Sequence, residues 1–340
     1  MLRLPRFRFR QAQSVQEAAD ILAGEPGTTR LLAGGTDLWP NMKRRHQKAD
    51  TVVALRGIPE LHGIGIQGAE ITIGAMMSLT QVTESELLHS RHPALVRAVQ
   101  SISAPVLRNM GTIGGNLCLD TRCTYYNQNE EWRRSIDYCM KEEGEICWVA
   151  PGSSRCWAIS ASDSAPILCA IDAQVELVSK SEERRIPVRG LYANDGIEYL
   201  SKRPDEVLTK IILTAKGEQR TAFWKLSRRG SIDFSVLTVA AALKLAADAT
   251  VETASIFLGS VASFPCPAKE AEAALKGEKL TAESIAHAAR LARKSAAPLH
   301  NTDFAPQWRG VMVEKYVEAA LREIAGLEVK RLSPRRMIHQ

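Results

Sequence analysis

The stretch from Thr121 to Ser160 constrains this chain more than any other part of it. On either side apolar residues recur at helical or strand spacing, whereas here charged, aromatic and cysteine residues follow no period. Structureless stretches beyond ~15 residues are uncommon in compact domains unless they carry function. Roughly forty such residues therefore count as a functional insertion rather than a connection. Cys123, Cys139, Cys147 and Cys156 lie in it, four of the seven cysteines of the 340-residue chain.

These four sit among Arg122, Arg133, Arg134, Lys141 and Arg155. Positive neighbours lower a thiol pKa and favour thiolate, the ligand form. The spacing, C-x15-C-x7-C-x8-C, lacks the paired C-x2-C knuckles of structural zinc sites and the common ferredoxin pattern. Spacing alone leaves three readings open: an iron-sulfur cluster, a zinc ion or no metal. Cys118, Cys169 and Cys266 read instead as small buried or semi-buried residues.

The basic start Met1–Arg10 lacks the apolar core of a secretory signal, and no apolar run approaches the ~20 residues of a membrane span. A soluble cytoplasmic protein without a disulfide framework is expected. The net charge of +6 is spread along the chain without interleaved aromatics, which argues against nucleic acid. Two basic concentrations, Lys43–Arg45 and the tail Lys330-Arg331 to Arg335-Arg336, are candidates for an acidic partner subunit or electron carrier.

Ser14-Val-Gln-Glu17 forms a capping box before a helix ending near Gly24. Thr29–Ala33 and Thr51–Leu55 read as strands of a small βαβ-like unit, and Ile64–Ile66 with Glu70–Ile73 as a hairpin. Helices are expected at Gln81–Leu88 and Pro93–Ser101, and a strand at Ala170–Ser179. After a linker at Lys202–Asp205 come strands at Glu206–Thr214 and Thr221–Leu226. Next follow an Ala-rich helix at Ser235–Asp248 and a strand at Ser255–Val261. Amphipathic helices at Pro267–Leu275, Ala282–Lys294 and Val311–Ile324 complete the chain. This divides it into residues 1–216, a second α+β domain over 219–328, and a basic tail, 329–340.

Two glycine clusters could carry chemistry. Leu32-Ala33-Gly34-Gly35-Thr36-Asp37 lets successive backbone N–H groups face one concavity, as a pyrophosphate requires; the plain alternative is a tight turn. Gly111-Thr112-Ile113-Gly114-Gly115-Asn116 would let backbone approach a flat ligand closely. Together they favour a nucleotide-type cofactor. A literal G-x-G-x-x-G at Gly63–Gly68 is rejected, because that fingerprint must follow a strand and open a helix. P-loop, zinc-protease and G-x-S-x-G motifs are absent, so NTPase, zinc-protease and α/β-hydrolase readings lose their main support.

Arg30-Leu31-Leu32-Ala33-Gly34-Gly35-Thr36-Asp37-Leu38 and Gly111–Asn116 resemble the two FAD-binding motifs of the flavin subunits of the xanthine dehydrogenase family. Asp163 in Ser162–Pro166 and Lys225 in Phe223–Arg228 resemble two further flavin-contacting positions. The inserted segment, with Asp120–Gln128 and three later cysteines, is similar to the flavin subunits of 4-hydroxybenzoyl-CoA reductases, whose loop carries a 4Fe-4S cluster.

That resemblance implies an α+β fold. A two-subdomain, vanillyl-alcohol-oxidase-like FAD-binding domain would precede an α+β domain with a small antiparallel sheet on helices. It implies that Arg30 to Asp37 surround FAD, with the backbone of Ala33 to Asp37 cradling the pyrophosphate. Thr112, Gly115 and Asn116 would line the flavin and ribityl chain, and Asp163 would accept from FAD. Leu208 and Lys225 would approach the isoalloxazine from the C-terminal domain. The plainer alternatives are a turn cap for Asp163 and a solvated strand position for Lys225. Cys123, Cys139, Cys147 and Cys156 would hold the cluster. The implied electron order runs from ferredoxin through 4Fe-4S and FAD to 2Fe-2S centres on a small subunit, then a molybdopterin cofactor on a large one. The assembly would be a dimer of heterotrimers.

Overall fold

The computed structural model describes residues 2–215, 217–230, 232–329 and 332. The expected basic tail falls, apart from residues 329 and 332, outside the described residues. Strands β1 (Arg8–Gln11), β2 (Thr29–Leu32) and β3 (Thr51–Ala54) form a parallel sheet in the order β1-β3-β2. Helix Val15–Gly24 links β1 to β2, and its Ala18, Ala19, Ile21 and Leu22 are buried. Its capping box is only half made: Ser14 accepts from the Glu17 N–H, but the Glu17 carboxylate takes the N–H of Gln13.

A five-stranded antiparallel sheet follows, from β4 (Ile64–Gln67), β5 (Glu70–Gly74), β6 (Gln174–Val178), β7 (Glu183–Pro187) and β8 (Val207–Thr214), ordered β4-β5-β8-β6-β7. Gln67 pairs with Glu70 across a two-residue turn, so the G-x-G-x-x-G is indeed part of a hairpin. Residues expected as one helix over Gln81–Leu88 form two, Leu79–Glu84 and Glu86–Arg91, because Ser85 caps the second with its hydroxyl. The strand expected from Ala170 starts only at Gln174, since Ser164–Ala170 is a buried helix.

The third sheet joins β9 (Arg220–Leu226), β10 (Leu237–Leu245), β11 (Val251–Gly259) and β12 (Cys266–Pro267) in the order β12-β11-β10-β9, all antiparallel. The expected Ala-rich helix at Ser235–Asp248 is therefore corrected to the strand β10. Alternate residues of this sheet serve two cores. Phe223, Ala240, Ala242 and Phe257 pack with the five-stranded sheet and helix Ser164–Ala170. Ala222, Val239, Ala241, Leu243, Ile256 and Leu258 pack against helices Lys269–Leu275, Ala282–Ser295 and Pro306–Ala325. A strand buried on both faces loses its polar alternation, and an alanine run then mimics a helix. No helix among the described residues is long and apolar enough to cross a membrane.

Candidate functional site

Strand β2 delivers Ala33–Asp37 as a loop into the short helix Leu38–Lys43. The second glycine cluster is itself a short helix, Ile113–Leu117, with Thr112 at its N-cap accepting from the Gly115 N–H at 3.1 Å. The two are in backbone contact: a Cβ on Gly34 would lie 1.9 Å from the Met110 carbonyl oxygen. Any larger residue must separate them. Among the described residues none of the backbone N–H groups from Ala33 to Asp37 donates a hydrogen bond within the chain. A row of such donors needs acceptors from water or a ligand. Arg30 folds back on its own segment, donating to the carbonyls of Gly27 and Thr29, while Leu31 and Leu32 pack inward.

Asn116 ties this loop to the Ser-Asp-x-x-Pro motif, its Oδ1 accepting from Ser162 Oγ at 2.9 Å and Ser164 Oγ at 2.6 Å. Asp163 is buried and makes no side-chain cap bond to the helix it precedes, which removes the turn-cap alternative. Its Oδ2 pairs with Lys225 Nζ at 2.6 Å, and its Oδ1 is buried without a hydrogen-bond partner among the described residues. Burial pushes this carboxyl up, against the pull of Lys225. An unmet buried acceptor of this kind awaits a donor. Lys225 is likewise not a solvated strand residue: it also donates to the carbonyls of Ser101 and Asp233 at 2.9 and 3.0 Å, so its three protons are engaged.

Leu208 departs from expectation. It lies in β8, the middle strand of the five-stranded sheet, and packs in the main core rather than approaching from the C-terminal domain. Strand side chains point to the faces of their sheet, and Leu208 lies on a face covered by the main core.

The cysteine segment folds around its thiols. All four are buried and line one small hollow, together with Tyr125, Tyr126, Met140, Lys141, Trp148 and Val149. Among the described residues no three His, Cys, Asp or Glu side chains form a group able to hold a single metal ion. Charge joins a small apolar cluster, in which Tyr126 and Ala158 pack with Cys123, Cys139 and Cys156, in organising the surround. Arg133, 1% exposed, pairs with Glu130 at 2.6 Å and with Glu142, and donates to the Arg44 carbonyl. Lys141 pairs with Asp120 at 2.9 Å and donates to the Gly196 carbonyl at 2.6 Å. Gly196 is required where it stands, since a Cβ there would lie 2.6 Å from Cys156 Sγ. Asp137 and Tyr138 both adopt left-handed backbone (φ 55° and 58°), turning the chain into Cys139. The Tyr138 carbonyl is held by Trp148 Nε1 at 2.6 Å.

The expected electropositive setting of the thiols is corrected by this network. Burial pushes Cys123 up to about 11 and raises Cys139. The cations have other partners: Arg122 pairs with Asp37, Arg133 with two glutamates, and Arg155 stacks on Trp157 at 3.5 Å. Cys147 alone is lowered, because Cys156 donates a thiol hydrogen bond to it. The Ala158 N–H points at Cys156 Sγ at 3.4 Å.

Sequence reading missed three contacts of this site. The ion pairs of Asp37 with Arg122 and of Lys141 with Asp120 join residues 85 and 21 positions apart, and Gly196 reaches Cys156 from outside the segment. No local pattern announces such contacts. The strongest available signal was the alternation of acidic and basic residues inside the insertion itself.

Comparison with known proteins follows the same outline. Residues 5–214 match the FAD binding domain in molybdopterin dehydrogenase, and residues 222–324 the CO dehydrogenase flavoprotein C-terminal domain. The chain is 26% identical to the nicotinate dehydrogenase FAD-subunit of Eubacterium barkeri, over 82% of each chain. It is 25% identical to the carbon monoxide dehydrogenase medium chain of Hydrogenophaga pseudoflava, over 93% of this chain and 97% of that one. The solved carbon monoxide dehydrogenase from Hydrogenophaga pseudoflava that lacks the Mo-pyranopterin moiety superposes with a TM-score of 0.77 at 26% identity, covering 94% of this chain and 97% of that chain. With its glycine loops, buried Asp163–Lys225 pair and C-terminal sheet in this arrangement, the chain belongs to the FAD-binding medium subunits of the molybdenum hydroxylases, the family of xanthine and carbon monoxide dehydrogenases.

Proposed function

We propose that this chain is the electron-transfer flavin and iron-sulfur subunit of a cytoplasmic molybdenum-dependent 4-hydroxybenzoyl-CoA reductase, with ferredoxin as donor. The observation that carries this reading is the convergence of Cys123, Cys139, Cys147 and Cys156 on one hollow. Four buried thiols that face one hollow can act as a single ligand set, and soft thiolates suit iron. When bound, a 4Fe-4S cluster exchanges electrons singly and FAD gathers or splits pairs.

This chain's residues supply binding and insulation. The Ala33–Asp37 N–H groups fit the FAD pyrophosphate, and Asp163 Oδ1 fits a donor of the flavin portion. Thr112, Gly115 and Asn116 shape the adjoining helix turn, and Lys225 holds Asp163 in place. Tyr126, Met140 and Val149 keep water from the thiols, while the Ala158 N–H stabilises negative charge on Cys156. The organic substrate is assigned to a large molybdenum-cofactor subunit, with a small 2Fe-2S subunit completing a dimer of heterotrimers. That relatives are medium chains of carbon monoxide dehydrogenases supports such an assembly.

A second reading, a hydroxylating dehydrogenase passing electrons outward to NAD or a quinone, is favoured by the relatives named dehydrogenases. Anaerobic purification of the native complex and assay of 4-hydroxybenzoyl-CoA with a low-potential donor separates the two. Dehydroxylation is expected; substrate-dependent NAD reduction without it selects the second reading. Cys139→Ser should abolish the cluster signal and leave FAD bound, and a variant that keeps all its iron shows the ligand set to be wrong. Zinc in place of iron in colourless thiol-bound form makes the segment a docking device.

A further inference from the structure

The flavin site proposed above leaves one shielded donor unexplained, and it comes from the cysteine segment. Arg122 stands at the base of the insertion, where its N–H and carbonyl exchange 2.8 Å hydrogen bonds with Ile159. That two-way bridge fixes the backbone on both sides of the forty-residue excursion and so fixes where the side chain starts. The guanidinium then reaches back to Asp37, the last residue of the first glycine loop. Its other face lies 4.1 Å from the centre of the Phe234 ring. The side chain is 15% exposed, and its Nε is fully shielded with no hydrogen-bond partner among the described residues.

We infer that Arg122 is a further FAD-contacting residue, contributed by the insertion, whose Nε–H donates to an oxygen of the bound dinucleotide. The inference rests on the placement of FAD at the glycine loops. Two observations locate Arg122 there. Asp37 closes the loop whose N–H groups have no acceptor among the described residues. Phe234 follows Asp233, whose carbonyl takes a proton of Lys225, which in turn holds Asp163. Arg122 thus stands between the glycine loop and the Asp163–Lys225 pair. An arginine fork can serve a carboxylate with one terminal nitrogen and a second acceptor with Nε, two separate donor nitrogens where a lysine has only one. The pairing also offsets a carboxylate that would otherwise repel a phosphate at the same loop. On this account the segment that gathers the thiols also finishes the flavin site.

The test uses the full-length chain in its native complex, stripped of FAD and titrated back by flavin fluorescence, with iron measured in each sample. Arg122→Lys keeps a cation opposite Asp37 but removes Nε; FAD should bind about tenfold more weakly or worse, with iron content unchanged. Arg122→Gln should weaken binding further. Should it fail to fold, the lysine variant decides alone. Wild-type affinity in Arg122→Lys overturns the inference, as does recovery of wild-type affinity in the double variant Asp37→Asn with Arg122→Gln, which would reduce Arg122 to a neutraliser of Asp37. A Gly34→Ala control separates the two levels: if neither it nor Arg122→Lys affects FAD, the placement of the cofactor has failed, whereas loss in Gly34→Ala alone defeats only the role of Arg122. Loss of FAD affinity in Arg122→Lys upholds the inference even where the wild type holds no iron.

Discussion

Between Ala33 and Asp37 the chain offers backbone and little side chain; between Thr121 and Ser160 it offers side chains and little regular backbone. The first region gets its shape from what is missing, since Gly34 lets the loop touch the Met110 carbonyl and leaves a file of N–H groups without acceptors. The second is assembled by Arg133, Lys141, Glu130, Glu142 and Asp120, which hold an otherwise irregular path around four buried thiols. A backbone-made site is sensitive to added atoms and tolerant of changed charge. A site held by buried ion pairs has the opposite weakness, because removing one partner strands the other away from water.

The sharpest way to break this contrast is Gly34→Ala. The added methyl has no room beside Met110, so FAD content should fall to near zero in the purified protein while iron in the segment stays. Loss of both would show that the two regions do not fold independently. The converse variant is Arg133→Met, which strands Glu130 and Glu142. The cost should be about 3–5 kcal/mol, seen in chemical denaturation and as faster proteolytic cutting between residues 121 and 160. Flavin binding is expected to survive it, and a variant as stable as wild type would remove Arg133 from the account.

A smaller effect should appear with pH. His46 stacks on Tyr126 with ring centres 4.8 Å apart, and burial, then Arg133, lowers its pKa from 6.5 to about 4. The unfolded chain therefore takes up a proton before the folded one does. Stability present above about pH 6.5 should be lost progressively down to about pH 4, and His46→Gln should flatten that part of the melting-temperature profile. An unchanged slope in the variant assigns the acid sensitivity elsewhere.

Much of the frame was legible in sequence because its signals are local. The hairpin of β4 and β5 follows from alternating Ile residues and a glycine turn, and the C-terminal helices from apolar residues at helical spacing. β10 was misread because Ala240, Ala241 and Ala242 are buried on both faces, so the alternation that identifies a strand is absent. Among site residues, the glycine motifs and Asp163 could be singled out in advance, since each belongs to a short run of fixed spacing. The partners of Arg122 and of Gly196 could not, because their meaning lies in contacts across 85 and 40 positions of chain.

By itself, the sequence determined where backbone had to come close, which segments repeat at strand or helix period, and that forty aperiodic residues with four thiols had to serve some purpose. Periodicity and glycine placement are properties of neighbouring residues, so they survive without coordinates. Only the tertiary structure decided that the four thiols face one hollow, that the surrounding cations are spent on carboxylates rather than on sulfur, and that Arg122 ties the insertion to the glycine loop. Those facts depend on which distant charges share a low-dielectric interior, and proximity of that kind is settled by the packing of the whole chain.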